Sequence, residues 1–174
     1  RSRHDALPIA VEERRVETVD ALPTFLPALG LPAADHRLEG RSWIPLLHGE
    51  QPDWRRYAIA EYDYAFQAPA RERLGQAIDR CRMYMVRSER FKYLAYDGYR
   101  PQLFDLENDP QELHDLGSDP AFAGVREQHQ SYLFDWLRGL KRRTTISNAE
   151  IDIRGQRFRY GEPAEEKLVP IGVW

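Results

Sequence analysis

A single cysteine, Cys81, is the whole thiol content of this chain of 174 residues. One thiol excludes an internal disulfide framework and any cysteine-based zinc site. Its scarcity favours a reducing compartment, so a cytoplasmic setting is expected. Long hydrophobic runs are missing as well. No apolar stretch approaches the roughly 20 residues that cross a bilayer, and Arg1 to Ala10 lacks the apolar centre of a secretory signal. No membrane partner is expected. A positive excess is also lacking: 25 Lys and Arg stand against 28 Asp and Glu, for a net charge of -3. That leaves no electrostatic case for a nucleic-acid partner. The one dense basic run, Lys141-Arg142-Arg143, reads as a solvated helix end, where cations complement the C-terminal partial charge. Position 1 is not Met, and the first ten residues show neither cap nor period. A truncated or processed chain is the expectation.

The chemical motifs of small enzymes are missing too. His4, His36, His48, His114 and His129 are scattered, with no His-x-His or His-x-x-x-His pair to place two nitrogens on one metal. There is no glycine-rich phosphate loop and no nucleophile elbow. Cys81 lies in an apparent strand beside Met83 and Met85, where an inert buried thiol is the default.

What is present is a globular composition, 42% hydrophobic and 30% charged, in a chain long enough for one core. Leu22, Phe25, Leu26 and Leu29 recur at helical spacing, with Asp20 placed to cap the start and Gly30 to end the helix. Pro27 is deep enough to shorten or kink it. A second short helix is expected from Ser42 to Gly49. Tyr57 to Tyr64 reads as a strand. Phe66 to Asp79 reads as a polar connection. Cys81 to Ser88, Phe91 to Tyr96 and Gln102 to Leu106 then form three short strands with turn-length gaps, an antiparallel meander. Asp119-Pro120 is a helix start. From it Phe122, Val125, His129, Tyr132, Leu133, Trp136, Leu137 and Leu140 trace one apolar stripe, a packing face that should cover the meander. The fold class is therefore α+β, a small antiparallel sheet of three to four strands packed by a long C-terminal helix.

Glu61 and Asp63 fall two apart on one face of the first strand, with Tyr62 and Tyr64 on the other. Paired carboxylates can hold a divalent cation or divide acid and base roles. They can equally be a solvated edge, or the partners of Arg55 and Arg56. Glu61, Tyr62 and Asp63 are kept as candidates for an active-site rim. An unrelated α+β enzyme using Glu61 and Asp63 with a metal is a further possibility. The apolar terminus, with Ile171, Val173 and Trp174, follows a polar tail and reads as a candidate subunit contact.

Three blocks carry a family resemblance. Val19-Asp20-Ala21-Leu22-Pro23-Thr24-Phe25-Leu26-Pro27-Ala28-Leu29-Gly30 resembles the sulfatase segment Val-Asp-x-x-Pro-Thr-x-Leu-x-x-x-Gly. Glu39-Gly40-Arg41-Ser42-Trp43-Ile44-Pro45-Leu46-Leu47-His48-Gly49 is similar to the Asp-Gly-x-Ser-Leu-x-Pro-Leu-Leu-x-Gly that follows it. Phe91-Lys92-Tyr93 and Leu103 to Leu116 resemble the family's Lys-Tyr strand and its Leu-Tyr-Asp-Leu-x-x-Asp-Pro-x-Glu-x-x-Asn-Leu turn, with Asp115 where the pattern has Asn. Together, in order and at the right spacing, they resemble the C-terminal portion of sulfatases of the alkaline phosphatase superfamily, most of all bacterial phosphonate monoester hydrolases.

The resemblance implies a parent enzyme that cleaves sulfate, phosphate or phosphonate esters with a formylglycine nucleophile and a divalent metal. In such chemistry, metal and cationic groups neutralise charge on the transferring group. The nucleophile motif Cys-x-Pro-x-Arg is absent, since Arg82, Met83 and Tyr84 follow Cys81, and the Asp-His-Gly metal segment is absent too. No catalytic residue, metal ligand or cofactor is therefore carried over to this chain. The resemblance assigns residues 1–50 to the end of the α/β catalytic core and a linker, so that the last helix of a sulfatase-like core precedes the sheet. Residues 51–143 become an α+β subdomain and 144–174 an extended tail with oligomer contacts. The implied partners are a missing N-terminal catalytic core and further copies in a homo-oligomer. A free-standing interaction module derived from that domain is the alternative.

Overall fold

The computed structural model describes residues 13–142, 145–147 and 149–153. Four strands, β1 (Ala58–Asp63), β2 (Arg82–Arg87), β3 (Phe91–Tyr96) and β4 (Gln102–Asp105), form one sheet in the order β1-β2-β3-β4. Each pair is antiparallel, with Glu61 opposite Tyr84, Val86 opposite Tyr93 and Tyr93 opposite Leu103. Alternation along each strand then sets one face. Ile59, Val86, Tyr93 and Leu103 point together toward the long helix α4 (Ala123–Gly139). The α+β class and the meander agree with the expectation from sequence.

Asp119 caps a 3-10 turn, Pro120–Phe122, through Oδ1, which accepts from the Ala121 amide at 2.9 Å. The turn feeds α4, whose Val125, Tyr132, Leu133, Trp136 and Leu137 pack on the buried centre formed by Val86, Tyr93, Leu103 and Leu133. Aromatic rings fill this layer: Tyr57 stacks on Tyr132 at 4.5 Å between centroids, and Tyr84 meets Trp136 edge-on at 6.4 Å.

Upstream, a 3-10 turn (Thr18–Asp20) leads into α1 (Ala21–Ala28), and α2 is a single turn (Ile44–Leu47). Pro27 lies inside α1, and Gly30, at φ 71°, closes the helix with its amide on the Pro27 carbonyl. Two sequence expectations need correction. Asp20 does not cap α1 with its side chain, which is buried and engaged elsewhere. The stretch Phe66 to Asp79 is not a plain connection: it contains α3 (Ala68–Leu74) and begins a 3-10 turn, Ile78–Arg80. Pro69 in the first turn and left-handed Gly75 at the end delimit α3, while its exposed, Arg-rich surface gives no apolar period to read.

The turn after β4 explains the third sequence block. Asp105 receives both Arg90 Nε (3.0 Å) and Arg90 Nη2 (2.6 Å), with Asn108 Nδ2 at 2.9 Å. Arg90 foremost holds its carboxyl far below the ordinary range. Asp115 Oδ1 accepts from the Leu103 and Gly117 amides, as the carbonyl of an Asn could, and its second oxygen meets Arg100 at 2.8 Å. The Asn-to-Asp departure from the family pattern is thus accommodated by one cation.

His129 joins α4 to the sheet. It is 2% exposed; Nδ1 lies 2.7 Å from the Val125 carbonyl and Nε2 2.9 Å from Ser88 Oγ. A carbonyl only accepts, so Nδ1 carries the proton and Nε2 faces Ser88 as acceptor. Burial pushes its pKa below 6.5. A base with a depressed folded pKa is proton-poor relative to the unfolded chain, so stability is full above pH 6.5 and declines as pH falls below it. Urea titrations between pH 8 and 5 should show this loss, and His129→Gln should flatten it; an equally steep slope in the variant would refute the assignment.

Candidate functional site

Two places concentrate polar groups. The first clasps the upstream segment onto the sheet. Asp20, 0% exposed, sits where residues 17–55 converge. Its oxygens accept from the backbone amides of Glu17 and Arg41, both at 2.8 Å, and from Arg55 Nη1 and Nη2 at 2.6 and 2.5 Å. Arg55 also pairs with Glu17 at 2.8 Å, and Glu17 Oε1 accepts the Ile59 amide of β1 at 2.7 Å. Burial alone would raise the Asp20 pKa. The Arg55 hydrogen bonds and the two amides outweigh it and leave the carboxyl below 3.8.

This arrangement gives a physical reason for the first two sequence blocks. Gly40 lies so close to the 3-10 turn that a Cβ there would stand 2.1 Å from the Val19 carbonyl oxygen. Only glycine brings the Arg41 amide onto Asp20. Thr24 Oγ1 then accepts the Trp43 amide at 2.9 Å, fastening α1 to the turn before α2. Beside the clasp runs a groove of about 620 Å³, lined among others by Glu39, Arg41, Trp54, Arg56, Tyr57 and Trp136. The Arg41 and Arg55 guanidinium groups lie 6.0 and 5.5 Å from the Trp54 ring centroid.

The second place is the far end of β1. Glu61, Tyr62 and Asp63 are all exposed. Register puts Glu61 beside Tyr84 and Asp63 beside Arg82, while Tyr62 pairs with Met83 on the opposite face. Burial, followed by the neighbouring Glu61 charge, raises the Tyr84 pKa. Asp63 Oδ1 accepts the Ala65 amide at 2.8 Å, and the Tyr62 hydroxyl accepts from Gln67 Nε2 at 3.3 Å. The two carboxylates thus share a face but are divided between a tyrosine and a turn. They are not the partners of Arg55, which belongs to Asp20 and Glu17. Among the described residues no group of three or more His, Cys, Asp or Glu side chains is arranged to hold a metal ion. Cys81 is buried, its Sγ 3.2 Å from the Ala77 carbonyl. The described residues therefore offer no seat for the implied metal and no accessible thiol for a formylglycine. Ile171, Val173 and Trp174 lie outside the described residues.

Sequence reasoning offered Arg55 as a partner for Glu61 and Asp63 rather than for Asp20 and Glu17, and gave Tyr84 and Arg82 no part in the rim. Tyr84 and Arg82 acquire their roles through strand register, which a long β1–β2 connection leaves open. Lys141, read as part of a solvated helix end, is exposed just past α4, and there it also reaches the Asp35 and Leu38 carbonyls while its amide donates to Glu39. Among the described residues no helix is long and apolar enough to cross a membrane.

Comparison with known proteins places this geometry. The family described as N-sulphoglucosamine sulphohydrolase, C-terminal, matches residues 6–138. The multifunctional alkaline phosphatase superfamily protein PehA of Trinickia caryophylli is 30% identical over 129 residues, covering 72% of this chain and 25% of PehA. An ulvan-active sulfatase of Formosa agariphila is 23% identical over 163 residues, covering 75% of this chain and 30% of the sulfatase. The crystal structure of a phosphonate monoester hydrolase of Agrobacterium radiobacter superposes with a TM-score of 0.67 at 33% identity, covering 73% of this chain and 26% of that one. The chain spans about a quarter to a third of the length of these relatives.

Asp20→Ala leaves Arg55 buried without its main counter-charge and should cost about 3–5 kcal/mol, measured by urea denaturation at pH 7. Asp20 stabilises above pH 3.8, and that contribution is lost as pH falls through its lower folded pKa. A loss under 1 kcal/mol at pH 7 would refute the clasp.

Proposed function

The chain belongs to the N-sulphoglucosamine sulphohydrolase C-terminal family, and from that premise we propose that it is the C-terminal part of a metal-dependent hydrolase of sulfate, phosphate or phosphonate esters, inactive by itself. The observation that carries this reading is the unfinished apolar surface of the upstream segment. Leu22, Phe25, Leu29 and Leu47, on and around α1 and α2, are each at least half exposed, Leu29 at 74%. Large apolar side chains left exposed within one short segment mark a contact. A catalytic core belonging to the relatives' remaining length fits it, with α1 as the last helix of that core. The sheet and α4 then form a wall beside the cleft, and Glu61, Tyr62 and Asp63 stand at its rim. A divalent metal and a formylglycine, implied by resemblance, belong to the core in this reading; the metal would supply charge neutralisation on the transferring group.

Residues 1–174 alone should turn over no aryl sulfate, phosphodiester or phosphonate monoester above background, while the intact protein hydrolyses at least one. Turnover by the chain alone, abolished in Glu61→Gln, would overturn the assignment. An intact native mass no greater than that of this chain would favour a free-standing interaction module instead.

The parent is further proposed to be a homo-oligomer in which Ile171, Val173 and Trp174 contact a second subunit. Deleting residues 171–174 from the intact protein should reduce its size on gel filtration, and an unchanged elution volume would reject that contact.

A further inference from the structure

The groove beside the clasp, about 620 Å³ in volume, falls in the size range of small-molecule clefts. The clasp itself consumes two of its charged lining groups, Glu17 and Arg55. Four others remain, all exposed: the carboxylates of Glu39 and Asp53 and the guanidinium groups of Arg41 and Arg56. Arg41 commits one N–H to the Asp53 carbonyl at 3.2 Å, and Glu39 commits one oxygen to the Lys141 amide. Among the described residues, the Asp53 carboxylate and the Arg56 guanidinium have no hydrogen-bond partner. Two half-buried indoles, Trp54 and Trp136, complete the lining. Both are held in place: Trp54 Nε1 donates to the Arg15 carbonyl at 2.7 Å, and Trp136 meets Tyr84 edge-on. Walls fixed in advance lose little freedom when a ligand settles on them.

The mixture of groups selects the ligand. An apolar molecule would take water from four charges and offer them no hydrogen bond. A simple anion would face two carboxylates, and a simple cation two guanidinium groups. A neutral ring bearing several hydroxyls suits every part of the lining. Each hydroxyl can donate to a carboxylate and accept from a guanidinium, while the C–H face of the ring lies on an indole. We propose that this groove binds a neutral saccharide, one sugar face resting on Trp54 or Trp136 and the hydroxyls shared among Glu39, Arg41, Asp53 and Arg56. The inference goes beyond the ester-hydrolase reading and does not draw on it, since it uses only side chains of this chain and needs neither a nucleophile nor a metal.

The test titrates the intact protein with maltose, cellobiose and lactose, and with benzoate as an anionic ring of similar width. At least one disaccharide should give saturable quenching of tryptophan fluorescence, together with saturation transfer to its C–H protons in NMR. Asp53→Ala and Arg56→Ala should each weaken that binding about tenfold, the loss expected for a hydrogen bond to a charged group. Because neither side chain has a partner within the fold, both variants should keep the melting temperature of the intact protein. Binding of none of the three disaccharides, affinity unchanged in either variant, or benzoate binding as tightly as the sugar overturns the proposal. Ester hydrolysis is read separately: its absence in the intact protein sinks the hydrolase reading and leaves the saccharide groove standing, and loss of sugar binding alone does the reverse.

Discussion

The arrangement of this chain turns on one buried carboxylate. Asp20 gathers the Glu17 and Arg41 amides and the Arg55 guanidinium into a single knot, and Glu17 passes the connection to the edge of β1. Ion pairs taken out of water are stabilising only when nearly every polar valence is met, and here both carboxylate oxygens are. The upstream segment has little apolar burial of its own: α1 turns Leu22, Phe25 and Leu29 outward. Its position against the sheet therefore depends on polar geometry rather than on a shared hydrophobic core. That is an unusual economy for a small domain, and it suits a segment whose apolar surface is committed elsewhere.

The sheet and α4 were legible because their signals are local. Alternation in Phe91 to Tyr96, the Asp97-Gly98 turn and the 3.6-residue stripe from Phe122 to Leu140 each fix an element within a few residues. His129 could be read as a packing residue for the same reason, since the stripe passes through it. The helix α3 escaped notice because it lies on the surface with no apolar face, and periodicity is the only strong signal a short helix offers. Its caps, Pro69 and Gly75, were present but belong equally to loops.

The polar sites were less legible, for a different reason. That Glu61 and Asp63 share a face follows from strand spacing alone. That Glu61 meets Tyr84, while Arg55 turns away to Asp20, depends on register and on a contact across 35 positions of sequence. Asp20 was assigned to a cap because an acidic residue before a helix has a common local use, and only tertiary structure shows the uncommon one. The family resemblance located the right residues without giving their purpose. The structure supplies it: Gly40 is small so that Arg41 can reach Asp20, and Asp115 replaces Asn where Arg100 can balance its charge.

The order of the meander bears on how the molecule is made. Every strand pairs with its neighbour in sequence, so β2, β3 and β4 can assemble from short-range contacts as the chain leaves the ribosome, while pairing of β1 must first close the connection of residues 64–81. Its inner face has no cover until α4 follows. During synthesis Val86, Tyr93 and Leu103 wait uncovered through the whole turn from Leu106 to Asp119, an interval in which chaperone capture or misassembly would act. The ion pairs that hold this turn in shape, Arg90 with Asp105 and Arg100 with Asp115, can form before α4 arrives and aim its first residues back across the sheet, shortening that interval.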